Sequence, residues 1–287
     1  MKPAPFEYHR PTSLDETFDL LDRFGDDGRI LAGGQSLVPA LNLRLASPRA
    51  IIDINRLPGL DAIRATPEGL VIGALVRQEA LEHSALVRER APLIAAAVVH
   101  VGHSAIRARG TIGGSLALAD PAAELPACAV ALEATIRVSR RGSARDVPAT
   151  RFFRGVYTTA LEPGEIVTAI TVPAVPPSWR WGFDELARRH GDFALAGLAA
   201  GARVEDGAIA DARFVFFGVG GTPMRARGAE AVLAGRRPDP AALTAAGAAL
   251  DRDLDPPGDL HGSPALRRHL ARVLLARVVC QFVEERP

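Results

Sequence analysis

Three prolines fall within five residues in Val172-Pro-Ala-Val-Pro-Pro-Ser178, and they constrain the fold more than any other feature. Proline fixes φ and donates no amide hydrogen bond, so helix and sheet both stop there. At about 150 residues per domain the 287-residue chain has room for two, and the segment divides it into 1–175 and 179–287. With 48% hydrophobic and 23% charged residues, each part can bury a core without staples.

The first part reads as α/β. Phe6–Arg10 predicts a short strand, and Ser13-Leu-Asp-Glu16 is a capping box opening a helix with Leu14, Phe18, Leu21 and Phe24 on one face. Arg29–Ala32 predicts a strand running into Gly33-Gly34-Gln35-Ser36, followed by a helix from Pro39 and a strand at Ala50–Ile54. These close a first subdomain, about residues 1–56. In the second, 57–175, Thr66-Pro-Glu-Gly69 marks a hairpin and Gln78–Val101 reads as one helical stretch. A helix near Ala123–Leu132 and strands at Ala134–Ser139 and Ile166–Val172 complete it. Beyond the prolines, Trp179–Leu186, Ala194–Val204 and Ala208–Gly218 predict three strands. Helices follow, with Asp239-Pro240 and Ser263-Pro264 as N-cap and first-turn pairs. Leu266, Leu270, Val273, Leu274 and Val278 predict the buried stripe of the last helix.

Scarcity excludes several chemistries. The only lysine is Lys2, so the chain lacks a phosphate-loop lysine and a Schiff-base lysine. Cys128 and Cys280 cannot supply the four thiolates of an iron–sulfur cluster, and two thiols predict a reducing compartment. His100-Val-Gly-His103 lacks a third ligand, so no metal site is expected. A net charge of +1 gives no field for nucleic acid or an anionic membrane. The start, MKPAPFEYHRP, carries no apolar leader segment, and the longest apolar run, Phe193 to Ala202, is half the ~20 residues a membrane helix needs. The expected location is the cytoplasm.

Two glycine pairs carry the chemical signal. Gly33-Gly34 follows a strand and Gly113-Gly114 follows Thr111-Ile112, each with a serine beside it. Backbone amides free of Cβ atoms, together with a hydroxyl, suit phosphate oxygens. An isolated pair more often marks an ordinary tight turn, and neither fits G-x-G-x-x-G.

Ordered motifs over nearly the whole chain separate the two readings. They are Ala32-Gly-Gly-Gln-Ser-Leu37 with Ile52-Asp-Ile-Asn55, Arg109-Gly-Thr-Ile-Gly-Gly-Ser115 leading to Ala119-Asp-Pro121, Leu161-Glu-Pro-Gly-Glu165, and Arg188-Arg-His-Gly-Asp-Phe-Ala194. With them the chain resembles the FAD-binding medium subunit of molybdenum hydroxylases, the family of xanthine dehydrogenase and aerobic carbon monoxide dehydrogenase. The resemblance implies an α+β fold of the vanillyl-alcohol-oxidase type: two α/β subdomains gripping FAD, then a C-terminal three-stranded antiparallel sheet with a helical bundle. It implies that Ile30, Leu31, Ala32, Gly33, Gly34, Gln35, Ser36 and Leu37 form one pyrophosphate loop, and Thr111, Ile112, Gly113, Gly114 and Ser115 the other. Glu124 matches a carboxylate near the adenosine ribose, and Val101 and Val167 match apolar positions lining the cofactor. For Phe193 two readings stand, an aromatic beside the flavin ring or a strand residue filling the core.

One departure is pronounced. A family lysine near the flavin pyrimidine edge is replaced by Asp184-Glu185, either as acids beside the ring or as a displaced segment with Glu185 facing solvent. The function implied is electron transfer. FAD here would take electrons from [2Fe–2S] clusters of a small subunit, fed by the molybdenum cofactor of a large subunit, in a dimer of heterotrimers. No side chain of this chain need act as acid, base or nucleophile. Two alternatives remain at this point, a self-sufficient FAD oxidoreductase of the same fold and a non-catalytic assembly subunit that has lost flavin.

Overall fold

In a computed structural model, which describes residues 2–283, the first residues alternate strand and helix: β1 (Glu7–His9), α1 (Leu14–Phe24), β2 (Gly28–Leu31), α2 (Leu37–Asn42) and β3 (Ala50–Asp53). The strands form a parallel sheet in the order β1-β3-β2, with Ala50 opposite both Glu7 and Gly28. The Ser13 hydroxyl caps α1 by accepting from the Glu16 amide at 3.2 Å. Glu16 reaches back to the amide of Thr12, one residue before the predicted partner.

The second unit runs through β4 (Ile63–Thr66), β5 (Gly69–Gly73), α3 (Gln78–His83), α4 (Ala85–Arg90), α5 (Pro92–Val98), α6 (Ser104–Arg107), α7 (Ile112–Leu118) and α8 (Glu124–Ala131). It continues with β6 (Thr135–Arg140), β7 (Ser143–Pro148), α9 (Ala149–Phe152), β8 (Phe153–Gly155), β9 (Thr158–Thr159) and β10 (Ile166–Pro173). Its main sheet is antiparallel throughout, in the order β4-β5-β10-β6-β7. The expected helical stretch from Gln78 is three helices. The Ser84 hydroxyl caps a new start at Ala85 by accepting from the Val87 amide, and Pro92, lacking an amide hydrogen, opens α5. Pro173 still pairs with Gly69, so the proline break begins one residue later than expected.

The last unit holds β11 (Trp179–Ala187), β12 (Ala194–Glu205), β13 (Ala208–Phe217), β14 (Met224–Arg225), α10 (Arg227–Leu233), α11 (Pro240–Asp253) and α12 (Pro264–Val283). The three predicted strands are joined by the two-residue β14 in an antiparallel sheet. Strand alternation splits this sheet between two cores. Leu198, Ala200, Phe214 and Phe216 face the helices α10–α12, whereas Ala199, Val215 and Phe217 face the core of the second unit. Between the two sheets lies α8, whose residues from Leu125 to Ala131 are all buried. On α12 the buried face is Arg267, Ala271, Leu275 and Val279 with Leu274 and Val278, not the predicted stripe. Leu266 is exposed and Val273 half-buried. Apolar residues occupy more than one face of this helix, so spacing alone does not fix its rotation.

Candidate functional site

The parallel strands β2 and β3 end side by side, and the chain leaves β2 through Ala32 to Ser36 before entering α2. Gly34 takes a left-handed φ of +76°. The backbone amides of Gly33, Gly34, Gln35 and Ser36 donate to no group among the described residues. Facing them is the Arg109-Gly110 turn of the second unit. A Cβ on Gly33 would stand 2.5 Å from the Arg109 carbonyl oxygen and 2.8 Å from Gly110 Cα. Glycine is therefore required here by the approach of two backbones, in addition to any ligand.

Side chains pin this junction. Asn55 Nδ2 donates to the Ala32 carbonyl at 2.8 Å and to Asp53 Oδ1 at 2.6 Å. Arg77 Nη2 donates to Asn55 Oδ1 at 2.6 Å, and Arg77 also donates to the Arg109 carbonyl. One arginine thus ties both turns together, and no spacing pattern in the sequence marks it. Burial opposes charge on Asp53, but hydrogen bonds from Tyr8 and Asn55 and the Arg10 charge outweigh it, holding its carboxyl below the ordinary range. A cavity of about 300 Å³ opens here, lined among others by Gly33, Gly34, Gln35, Asp53, Asn55 and Arg109. Free amides in a glycine turn, at a cavity that an arginine also lines, suit a ligand rich in anionic oxygens.

The second glycine segment does a different job. Gly113 and Gly114 lie in the first turn of α7, where Thr111 Oγ1 accepts from the Gly114 amide at 3.1 Å. The Ile112 amide donates to Val76 at 3.1 Å, Gly113 to Ala74 at 2.9 Å and Ser115 to Thr111 at 3.1 Å. A Cβ on Gly113 would lie 2.5 Å from the Ala74 Cβ. The Ile112 and Gly113 amides tie α7 to the segment after β5 and the Gly114 and Ser115 amides close its first turn, whereas those after β2 are free among the described residues.

The remaining expected residues are distributed as follows. Ile30 and Leu31 lie on β2, and Leu37 opens α2. Val101 packs on the core cluster that contains buried Val167 of β10. Phe193 is 70% exposed in the turn before β12, so the core-filling reading is wrong. A polar neighbour at Asp192 and the sharp Gly191 turn, φ +77°, lift it out of the strand register. It borders a larger cavity of about 550 Å³ with Tyr157, Arg188, His261 and Arg267. Arg267, buried on α12, donates to the carbonyls of Leu195 and Gly218 at 2.7 and 2.8 Å and pairs with Asp259 at 2.7 Å.

Glu124 and Glu185 both hold their protons more tightly than ordinary carboxyls. Burial, reinforced by Asp120, pushes the Glu124 carboxyl up to about 7. Burial, then the charges of Glu124 and Asp184, push Glu185 up to about 8. The Glu185 side chain is only 6% exposed, which excludes the reading that it faces solvent. Neighbouring Asp184 pairs with Arg277 of α12 at 2.7 Å.

Fold and site define a two-part flavin-nucleotide-binding protein. Residues 4–175 match the model of the FAD-binding domain in molybdopterin dehydrogenase, and residues 181–282 match the CO dehydrogenase flavoprotein C-terminal domain. The chain is 38% identical over 282 residues to the 6-hydroxypseudooxynicotine dehydrogenase complex subunit alpha of Paenarthrobacter nicotinovorans, covering 98% of this chain and 95% of that one. It is 37% identical over 279 residues to the carbon monoxide dehydrogenase medium chain of Hydrogenophaga pseudoflava, covering 97% of each. A solved structure of carbon monoxide dehydrogenase from that organism, lacking the Mo-pyranopterin moiety of its molybdenum cofactor, superposes with a TM-score of 0.94 at 38% identity over 98% of both chains. The chain belongs to the FAD-binding medium subunits of the molybdenum hydroxylase family, and is an oxidoreductase flavoprotein component. The free amides and Arg109 at the first glycine turn fit the pyrophosphate of FAD.

Proposed function

We propose that this chain carries electrons through FAD, from [2Fe–2S] clusters on a small partner subunit to a terminal acceptor, in a complex whose large subunit holds the molybdenum cofactor. The observation that carries this reading is the glycine turn with four free amides facing Arg109. In this reading residues 1–175 are the FAD-binding domain and 179–287 the C-terminal domain. Ile30 to Leu37 and Thr111 to Ser115 bound the cofactor, with Val101, Glu124, Val167 and Phe193 as further contacts. Bound FAD supplies the redox chemistry by joining one-electron carriers to a two-electron acceptor.

The chain's own residues position and bind. Gly33 to Ser36 offer amides to the phosphates, Arg109 neutralises them, and Asn55 with Arg77 fixes the turn that presents those amides. No proton transfer by a side chain is required. With two cysteines the chain cannot hold the clusters itself, which supports an assembly with small and large subunits. Relatives named as a medium chain and as a complex subunit support membership of a multi-subunit complex, which we propose is a dimer of heterotrimers. No helix among the described residues is long and apolar enough to cross a membrane, and we place the complex in the cytoplasm. Co-purification from the native source should yield three polypeptides with one FAD per copy of this chain, and anaerobic substrate should bleach the flavin band. Recovery of this polypeptide alone, with full substrate turnover, would refute the assembly.

A further inference from the structure

We propose that Glu185, Glu124 and His100 form one proton-binding site in the seam between the FAD-binding and C-terminal units, and that losing its proton loosens the seam. The three come from different elements. Glu185 is on β11, Glu124 opens α8, and His100 follows α5, so the site bridges the two units. The Glu185 Oε1 atom is 3.8 Å from His100 Nδ1, and its Oε2 atom is buried without a hydrogen-bond partner among the described residues.

Every group facing this carboxyl leaves its charge unbalanced. Across the strand pair it lies opposite Gly197 of β12, which offers no charge. From α12, Arg277 is committed to Asp184. Asp184 and, across the seam, Glu124 add negative charge, with Asp120 behind Glu124. His100 packs on Phe183 at 5.1 Å between ring centres, and burial with the nearby His190 lowers its affinity for a proton despite Asp184. The histidine therefore stays neutral where the carboxyls titrate. A carboxylate this deeply buried, without a cation or donor, holds its proton at neutral pH instead of ionising.

The sign follows by linkage. Both carboxyls keep protons in the folded chain that an ordinary one, at 4.5, has lost when unfolded. Their neutral form favours folding fully below 4.5, and that advantage is lost as pH rises through about 7 and about 8. His100 acts in the opposite sense, since its depressed value penalises the fold only on the acid side of 6.5.

The test uses the full FAD-loaded chain. Thermal midpoints from about pH 6 to about pH 9 should fall more steeply in the wild type than in Glu185→Gln, whose amide stays neutral. Over that range, hydrogen exchange of the α8 amides, corrected for intrinsic rates, should accelerate about tenfold more in the wild type. Glu124→Gln removes a like charge and should move the wild-type loss to lower pH. If Glu185→Gln does not fold, the infrared spectrum of the wild type at neutral pH decides, since a buried protonated-carboxyl stretch is required. Parallel pH profiles in the wild type and Glu185→Gln, or absence of that stretch, would overturn the proposal.

Discussion

Replacing Gly33 with alanine separates the structural task of the first glycine turn from its chemical one. The new Cβ would lie 2.5 Å from the Arg109 carbonyl oxygen, where ordinary contact begins at 3.4 Å. Both atoms belong to backbone or are fixed to it, so no side-chain rotation relieves the clash and one turn must retreat by several tenths of an ångström. Overpacking of this kind costs about 1–3 kcal/mol. At about 2–4 °C per kcal/mol for a chain of this size class, the midpoint should fall by about 2–12 °C. The same displacement pulls amides away from the phosphates, and each hydrogen bond lost to a charged group weakens FAD binding by about 1.5–3 kcal/mol, roughly ten- to hundredfold. Gly114→Ala is the control. Its Cβ would meet only the Thr111 hydroxyl, at 2.8 Å, a group that can rotate away at the cost of the α7 cap, about 0.5–2 kcal/mol. Differential scanning fluorimetry with and without FAD, paired with equilibrium dialysis of the flavin, measures both effects. A Gly33→Ala protein with wild-type midpoint and wild-type FAD affinity would show that the two turns do not meet as described.

Three further outcomes are expected. Ser36→Ala should weaken FAD binding by about 1–3 kcal/mol with little change in the midpoint of the apoprotein, measured by the same dialysis. Arg77→Met removes the tie between Asn55 and the Arg109 carbonyl; flavin dissociation should quicken about tenfold while the fold is retained, as followed by fluorescence recovery of released FAD. Arg145→Met takes from Glu165, whose side chain is 2% exposed, the bonds it accepts from Arg145 Nε at 2.7 Å and Nη2 at 2.6 Å, leaving the one from the Glu162 amide at 2.7 Å. Because Arg145 is 38% exposed and one donor remains, denaturant titration should give a loss of about 1–3 kcal/mol at neutral pH. The Arg145 hydrogen bonds depress the Glu165 carboxyl, so this contribution is present above 4.5 and disappears as pH falls through the lower folded value. The variant should lack that acid step.

What could be read from the sequence follows from which interactions are local. Ser13 and Glu16 cap a helix within four residues, and Ala194–Val204 and Ala208–Gly218 are apolar runs readable one strand at a time, so both were legible. The glycine pairs were legible as exceptions, but their difference was not. Whether an amide after Gly33 or after Gly113 is free depends on Ala74, Val76 and Thr111, and Ala74 lies 39 positions before Gly113. Arg77 and Arg267 escaped because an arginine that binds carbonyls looks, in sequence, like any solvated charge. Glu185 was visible as a departure from the family lysine, yet its burial arises on the face of β11 that α5 covers, a contact only the folded chain makes.

The helix α8 carries a consequence for the order in which the chain becomes stable. It is packed by α5, α7 and α9 from its own unit and by β12, β13 and β14 from the last. During synthesis residues 132–193 must be made before the first of those strands exists. Until then part of the run from Leu125 to Ala131, all of it buried in the folded chain, faces water or whatever hydrophobic surface is near. The proline segment after β10 therefore joins two bodies that cannot mature independently, and a chaperone or an early-arriving partner subunit would find its hold on α8 in that interval.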